Sequence, residues 1–346
     1  MPLVTVPLPK PDKSRPAVMT DVAQLAGVSY QTVSRVLHDS PHVRDATRER
    51  VLAAIRQLDY RPNSMARALV TGRSNTLGVV TFDTTLYGPA TTLHGIEQAA
   101  HDAGYAVIVS SLRSLNRSTV LAAIQRLRDQ GADGVAVIAP VQTAVEALRH
   151  VMPDFAVVAV AAAPSASIPV AGVDQAAGAA AATRHLLDLG HKTVWHLAGP
   201  ADWKEAEARI EGWTSVLQAA GAPVPELLRG DWTARSGYEL GERLLGVAGL
   251  TAVLAANDQM ALGLLRRVHE AGLTVPDDLS VVGFDDIPEA AYFTPPLTTV
   301  RQDFGELGRR CLHLLLARIE GEGTPPRVVV APELVVRAST GPAPRG

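Results

Sequence analysis

The sequence predicts an α/β protein in two parts: a small all-α head, then a larger two-lobed body whose parallel sheets are flanked by helices. Three observations carry this. Residues 19–69 show only short helical patterns, whereas from Leu77 onward brief apolar runs alternate with stretches of 3.6-residue period. The 346 residues leave room for two or three domains. Charge divides at the same place: residues 1–73 hold 11 Lys or Arg against 6 Asp or Glu, and residues 74–346 hold 21 against 29. A basic head on an acidic body points to a polyanion as the partner of the head.

Composition narrows the class further. With 47% hydrophobic and 19% charged residues the chain is globular. No apolar run approaches the ~20 residues of a membrane span. The start, Met1-Pro2-Leu3-Val4-Thr5, lacks the basic flank and apolar core of an export signal, so a cytoplasmic protein is expected. Cys311 is the sole cysteine, which excludes an internal disulfide and a multi-cysteine metal site. It reads as a small core residue, and no cofactor is expected.

The elements follow in order. Residues 1–17, rich in Pro, Lys and Arg, read as a flexible basic arm. Thr20 is placed to cap a first helix with Val22, Ala23, Leu25 and Ala26 on its apolar side, and Gly27 ends it in a tight turn. Ser29 caps a second helix, Tyr30 to Leu37, whose inward face is Val33, Val36 and Leu37. A third runs from about Ala46 to Leu58, with Val51, Leu52, Ile55 and Leu58 inward, and Asn63–Leu69 has the pattern of one more short helix. In the body, strands are expected at Leu77–Val80, Tyr105–Val109, Val135–Ile138, Ala156–Val160, Val194–Leu197, Ala252–Ala255, Ser280–Phe284 and Val328–Val330. Helices are expected at Gly178–Leu189, Ala206–Ala220, Met260–Ala271 and Phe304–Ile319. Repeated strand–helix units mean parallel sheets, and two lobes place a ligand in the crevice at the carboxyl ends of their strands.

The first two helices carry the strongest functional signal. Ala23-x-x-Ala26-Gly27-Val28-Ser29 gives two short helices at a steep angle around a glycine turn, a helix-turn-helix. Beside its apolar stripe the second helix presents Tyr30, Gln31, Thr32, Ser34 and Arg35. Such side chains pair with base edges and phosphates: Arg with guanine, Gln with adenine, hydroxyls with either. In the body the local readings are weaker. Asp285 and Asp286 end an apolar strand, where crevice residues sit, and as neighbours on a strand they face opposite ways. Asp258 is placed to cap the helix after Ala252–Ala255, leaving Asn257 for the pocket. Arg209 suits a solvated helix charge and a pocket residue equally well. Trp232, between a strand and a helix, offers a flat stacking face, while Trp195 and Trp213 read as core.

Longer stretches make a resemblance specific. Ala26-Gly27-Val28-Ser29-Tyr30-Gln31-Thr32-Val33-Ser34-Arg35-Val36 resembles the LacI/GalR family of bacterial transcription regulators, as do Gly230-Asp231-Trp232, Ala256 to Gly263, Ser280 to Asp286 and Pro295 to Phe304. The resemblance runs from about residue 18 to 340. It implies a helix-turn-helix domain at 18–62, a hinge helix and linker at 63–74, and a two-lobed periplasmic-binding-protein-like body at 75–340, with residues 341–346 as a tail. The first lobe would hold about 75–173 and 303–332, the second about 174–302 and 333–340. It implies that Tyr30, Gln31 and Arg35 read bases, that Ser29, Thr32 and Ser34 touch phosphates and edges, and that Asn63, Ala66 and Leu69 belong to a hinge helix that folds on operator DNA, with Leu69 wedging a minor-groove step. It makes Arg209, Asn257 and Asp285 a clamp on sugar hydroxyls, Trp232 and Phe304 an apolar face, Gln302 a neighbour, and Leu86, Pro89 and Thr92 the first-lobe lining. The implied partners are double-stranded pseudo-palindromic operator DNA, a small sugar or glycoside, and a second copy of the chain.

The chain departs from a member of the family that it resembles in detail. Ala161 stands where that member has a pocket aspartate, Ile138 where it has an asparagine, Glu205 where it has a serine, and Arg67 where it has an uncharged polar residue. Ala161, Ala162 and Ala163 present no polar group, and Trp203 adds bulk beside the clamp. First-lobe recognition of hydroxyls is therefore altered. A Pro- and Gly-rich end at residues 339–346 leaves no room for a tetramer-forming helix, so a dimer is expected.

Two other classes fit less well. An enzyme would need paired carboxylates facing one another, a nucleophile elbow, a phosphate loop or a His-Glu-x-x-His helix, and none occurs. A transport-type sugar-binding protein would share the body but needs an export signal and no DNA-binding head.

Overall fold

The computed structural model describes residues 17–37, 40–60, 73–114, 116–139, 144, 154–162 and 168–344. It divides into two compact units, 1–74 and 75–346. The basic arm up to residue 16, the segment carrying Asn63, Ala66, Arg67 and Leu69, and Ala163 lie outside the described residues.

The first unit is built on α1 (Met19–Ala26), α2 (Tyr30–Leu37) and α3 (Asp45–Gln57). Gly27, at φ 64°, closes α1 in the left-handed conformation that glycine adopts without a Cβ clash. Ser29 caps α2 as its sequence position predicts, its Oγ accepting from Thr32 N at 3.2 Å. Thr20 does not cap α1. The helix starts two residues earlier with Val18 as N-cap, and the Asp21 carboxylate takes the Val18 N–H at 2.9 Å. The small core gathers Val22, Ala23, Ala26, Val33, Val36, Val51, Ala54 and Tyr60. Leu25 and Leu52, expected inward, are 37% and 38% exposed. Each lies about 200° around its helix from a buried alanine, Ala23 and Ala54, so one face cannot bury both.

The second unit contains two six-stranded sheets. The first comprises β1 (Thr76–Phe82), β2 (Ala106–Leu112), β3 (Gly134–Ile138), β4 (Ala156–Val160), β5 (Val170–Val173) and β11 (Arg327–Val330), in the order β11-β5-β4-β3-β1-β2. The second comprises β6 (Trp195–Ala198), β7 (Leu228–Arg229), β8 (Ala252–Ala255), β9 (Ser280–Asp285), β10 (Thr298–Arg301) and β12 (Glu333–Val335), in the order β12-β10-β9-β8-β6-β7. All pairings are parallel except β10 with β12. Strands β3, β8 and β9 are buried along their whole length, as a parallel strand covered by helices on both faces must be.

Helices α4 (Tyr87–Asp102), α5 (Arg117–Asp129) and α10 (Phe304–Ile319) pack on the first sheet, and α6 (Gln175–Asp188), α7 (Lys204–Ala219), α8 (Ala234–Leu245) and α9 (Asp258–Glu270) on the second. Phe304–Ile319 matches its sequence expectation at both ends. Strands β5, β10 and β12 are not among the expected runs, and β7 is anticipated only as the strand that precedes Trp232. The chain passes between the sheets three times, after β5, after β10 and between β11 and β12. Cys311 is fully buried on α10, and burial pushes its thiol up to about 12. Where α4 crosses α10 their backbones touch: a Cβ at Gly95 would overlap the Phe304 carbonyl oxygen, and one at Gly308 would overlap Gly95.

Candidate functional site

In the head, α2 turns Val33 and Val36 into the core and leaves Tyr30, Gln31 and Arg35 exposed. Thr32 and Ser34 are half-buried, and the Ser29 and Thr32 hydroxyls lie 2.9 Å apart at the helix start. Three exposed side chains of the kinds that can pair with base edges therefore share one helix, whose N-terminal N–H groups sit beside two hydroxyls.

In the body, both sheets reverse strand order at an inner strand, β1 between β2 and β3 and β6 between β7 and β8. Crevices open at the carboxyl ends of strands at such points. A cavity of about 300 Å³ lies there. All nine residues assigned to ligand from the sequence line it: Leu86, Pro89 and Thr92 beyond β1, Arg209 on α7, Trp232 after β7, Asn257 after β8, Asp285 at the end of β9, and Gln302 and Phe304 after β10.

Four polar residues of the cavity, Arg209, Gln175, Gln302 and Asp285, form a ring of three hydrogen bonds closed by an ion pair. Arg209 Nε donates to Gln175 Oε1 at 2.9 Å, Gln175 Nε2 to Gln302 Oε1 at 2.7 Å, and Gln302 Nε2 to Asp285 Oδ1 at 2.6 Å. The Asp285 carboxylate returns to Arg209 Nη2 at 3.5 Å as an ion pair. Arg209 also donates to the Ala256 carbonyl, and its guanidinium lies 3.8 Å from the Phe284 ring centroid and 5.4 Å from that of Trp232. The even choice at Arg209 thus resolves in favour of burial, at 4% exposure. Burial raises the Asp285 carboxyl to about 6 against the pull of Arg209, and burial lowers the Arg209 guanidinium against the pull of Asp285. Desolvation outweighs attraction on both partners, so the pair is poised rather than strongly stabilising.

Three cavity assignments need correction or addition. Asn257, not Asp258, caps α9: its Oδ1 accepts from Met260 N at 2.9 Å while its Nδ2 donates to the Trp232 carbonyl at 3.0 Å. Asp258 is buried beneath, accepting from Thr299 Oγ1 at 2.6 Å and Ile287 N at 2.8 Å, because β9 and β10 bring those donors to it. Burial raises its carboxyl to about 8. Gln175 and Gln259 line the cavity unannounced, since a lone Gln at a helix start carries no sequence signal. Trp232 (φ 73°), Asp285 (φ 108°) and Asp286 (φ 53°) all hold left-handed backbone, a strain of about 1–3 kcal/mol each that concentrates at ligand sites. Asp286 faces away from the cavity, to Arg301 Nε at 2.7 Å and Arg337 Nη2 at 2.6 Å.

Residues 18–63 match the sequence model of the bacterial regulatory proteins of the lacI family, and residues 183–340 that of a periplasmic binding protein-like domain. The lactose operon repressor of Escherichia coli (strain K12) is 36% identical over 332 residues, covering 94% of this chain and 91% of that protein. The chain belongs to the LacI family. Among other relatives, the HTH-type transcriptional repressor PurR of Haemophilus influenzae (strain PittEE) is 32% identical across 93% of this chain and 98% of its own length. Of solved structures, the lac repressor dimer bound to operator and the anti-inducer ONPF superposes with a TM-score of 0.84 at 33% identity, covering 94% of this chain and all of that one. The transcriptional regulator CelR in complex with cellobiose gives 0.68 at 32%, covering 93% and 99%. As a LacI-family member the protein is a DNA-binding transcriptional regulator, and the lactose operon repressor and PurR are transcriptional repressors. No helix among the described residues is long and apolar enough to cross a membrane.

Proposed function

We propose that the protein is a cytoplasmic repressor that grips a pseudo-palindromic operator as a homodimer and releases it when a sugar or glycoside enters the cavity of the body. The observation that carries the ligand half is the ring. Arg209 and Asp285 face the cavity, while Gln175 and Gln302 stand where the chain leaves β5 and β10 to cross between the sheets. A ligand that competes for the ring's donors and acceptors acts on the segments joining the two halves of the body. A saccharide offers hydroxyls in one plane and a weakly apolar C–H face, which suits this ring and the walls of Trp232 and Phe304.

Tyr30, Gln31 and Arg35 read bases in the major groove, and Ser29, Thr32 and Ser34 hold phosphates. Asn63, Ala66 and Leu69 supply the minor-groove contacts that the family resemblance implies. Two heads match two half-sites of one operator. Phosphate contacts make the affinity salt-sensitive, and linkage requires operator to weaken ligand binding by the factor with which ligand weakens operator binding. The body is a binder and not a catalyst: its adjacent carboxyls, Asp285 and Asp286, turn to different partners.

A binding site selected from random duplex DNA, followed by fluorescence anisotropy during additions of mono- and disaccharides, tests this. Arg209→Ala should hold DNA and ignore sugar; release at an unchanged sugar concentration overturns the pocket assignment. Arg35→Ala should lose about 1–3 kcal/mol of discrimination at one base pair with sugar binding intact. A saccharide that tightens operator binding would establish the co-repressor sign instead.

A further inference from the structure

Five buried side-chain atoms among the described residues have no hydrogen-bond partner, and three of them belong to residues of the cavity: Glu205 Oε2, Trp232 Nε1 and Gln259 Oε1. Native folds leave few such atoms, and three of them on residues of one cavity call for an explanation.

Glu205 is the most telling. It stands in the first turn of α7, four residues before Arg209, so the two share a helix face. Its own amide and that of Ala162, beyond β4 on the facing wall, approach its carboxyl. The residue keeps some exposure, but Oε2 has none. The charged group that acts on it is Arg209, on which Asp285 and Asp258 also act. Arg209 is already committed to Gln175, to the Ala256 carbonyl and to Asp285. Glu205 is therefore a surplus carboxyl, and burial pushes it up to about 7.

We propose that Glu205, with Trp232 Nε1 and Gln259 Oε1 in the same cavity, forms a second polar subsite that sets ligand specificity by accepting a hydrogen bond from a ligand hydroxyl or ammonium group. The proposal rests on the sugar reading above and adds to it what the ligand carries: an acceptor for the indole N–H and donors for the carboxylate and amide oxygens. Neighbouring hydroxyls supply both. On the facing wall Ile138, Val160 and Ala161 are apolar. A donated hydrogen bond favours the ionised carboxylate, so the protonated fraction of Glu205 loses its proton to solvent as ligand binds.

Isothermal titration of the full chain tests this with methyl β-D-galactoside, cellobiose and ribose at pH 7, in two buffers of different ionisation enthalpy. A saccharide that binds the wild type should bind Glu205→Gln about 10- to 100-fold more weakly and without proton release. Glu205→Ser serves as a second variant, with thermal unfolding confirming that both fold. D-Galactosamine binding more tightly than D-galactose identifies an ammonium; the reverse order identifies a hydroxyl. Unchanged affinity and proton release in both variants, with binding abolished in Arg209→Ala, overturns the subsite alone. No binding of any saccharide by the wild type overturns the sugar reading and the subsite with it.

Discussion

The two walls of the cavity are made of different chemistry. On the side of the second sheet a charged pair is buried and stitched to two glutamines in a ring. On the side of the first sheet the lining is mainly hydrocarbon, from Ile138, Val160, Ala161, Leu86 and Leu307, with the hydroxyls of Thr85 and Thr92 among it. The polar wall is mutually dependent, because each member satisfies the next; the apolar wall is a set of independent contacts. Damage should therefore spread on one side and stay local on the other.

The largest expected effect is on the polar wall. Arg209→Ala strands Asp285, Gln175 and the Ala256 carbonyl, and should cost the body about 3–5 kcal/mol in denaturant unfolding as well as abolishing the sugar response. A loss below 1 kcal/mol would show the ring to be an incidental contact. Ile138→Asn comes next: it removes a buried core side chain, so it should cost about 2–4 kcal/mol of stability while shifting the order of effective saccharides by about tenfold. If it abolishes the response as Arg209→Ala does, the contrast between the walls fails. Gly95→Ala follows: wedging α4 from α10 should cost about 1–3 kcal/mol, with the Arg209-dependent response weakened but present.

The smallest effect is on pH. The raised carboxyls Glu205 and Asp258, at about 7 and about 8, stabilise the ligand-free fold while protonated and lose that contribution as pH rises through those values. His196, lowered to about 4 by burial, works in the opposite sense but has finished by its ordinary value of 6.5. Between pH 6.5 and 8 thermal stability should thus decline with rising pH, and Glu205→Gln should flatten the slope.

The same contrast governs how much the sequence discloses. The head is local: a glycine turn, a serine cap and one polar helix face are all encoded within a few residues, and α2 is found where Ser29 places it. The long apolar strands of the body are equally legible. Strands β7, of two residues, and β10, whose Thr298-Thr299 follows two prolines, fall below any period a sequence can show. The ring is invisible for a different reason: Gln175 and Gln302 are 127 positions apart and meet only because two crossovers run side by side. Glu205 stood out as an unusual residue, but that one of its oxygens lacks a partner is a property of the packed cavity.

The backbone-to-backbone seam at Gly95 and Gly308 has a practical consequence. Pro89, Thr92, Phe304 and Leu307 face the cavity from two rods that have no side chain between them at the crossing, so the rods form one rigid panel. Exchanging what the panel displays does not change its spacing. Sensor libraries confined to Thr92 and Leu307, together with the neighbouring strand ends at Ile138 and Ala161, should retune which small molecule is detected while leaving the seam, and the switch it frames, in working order.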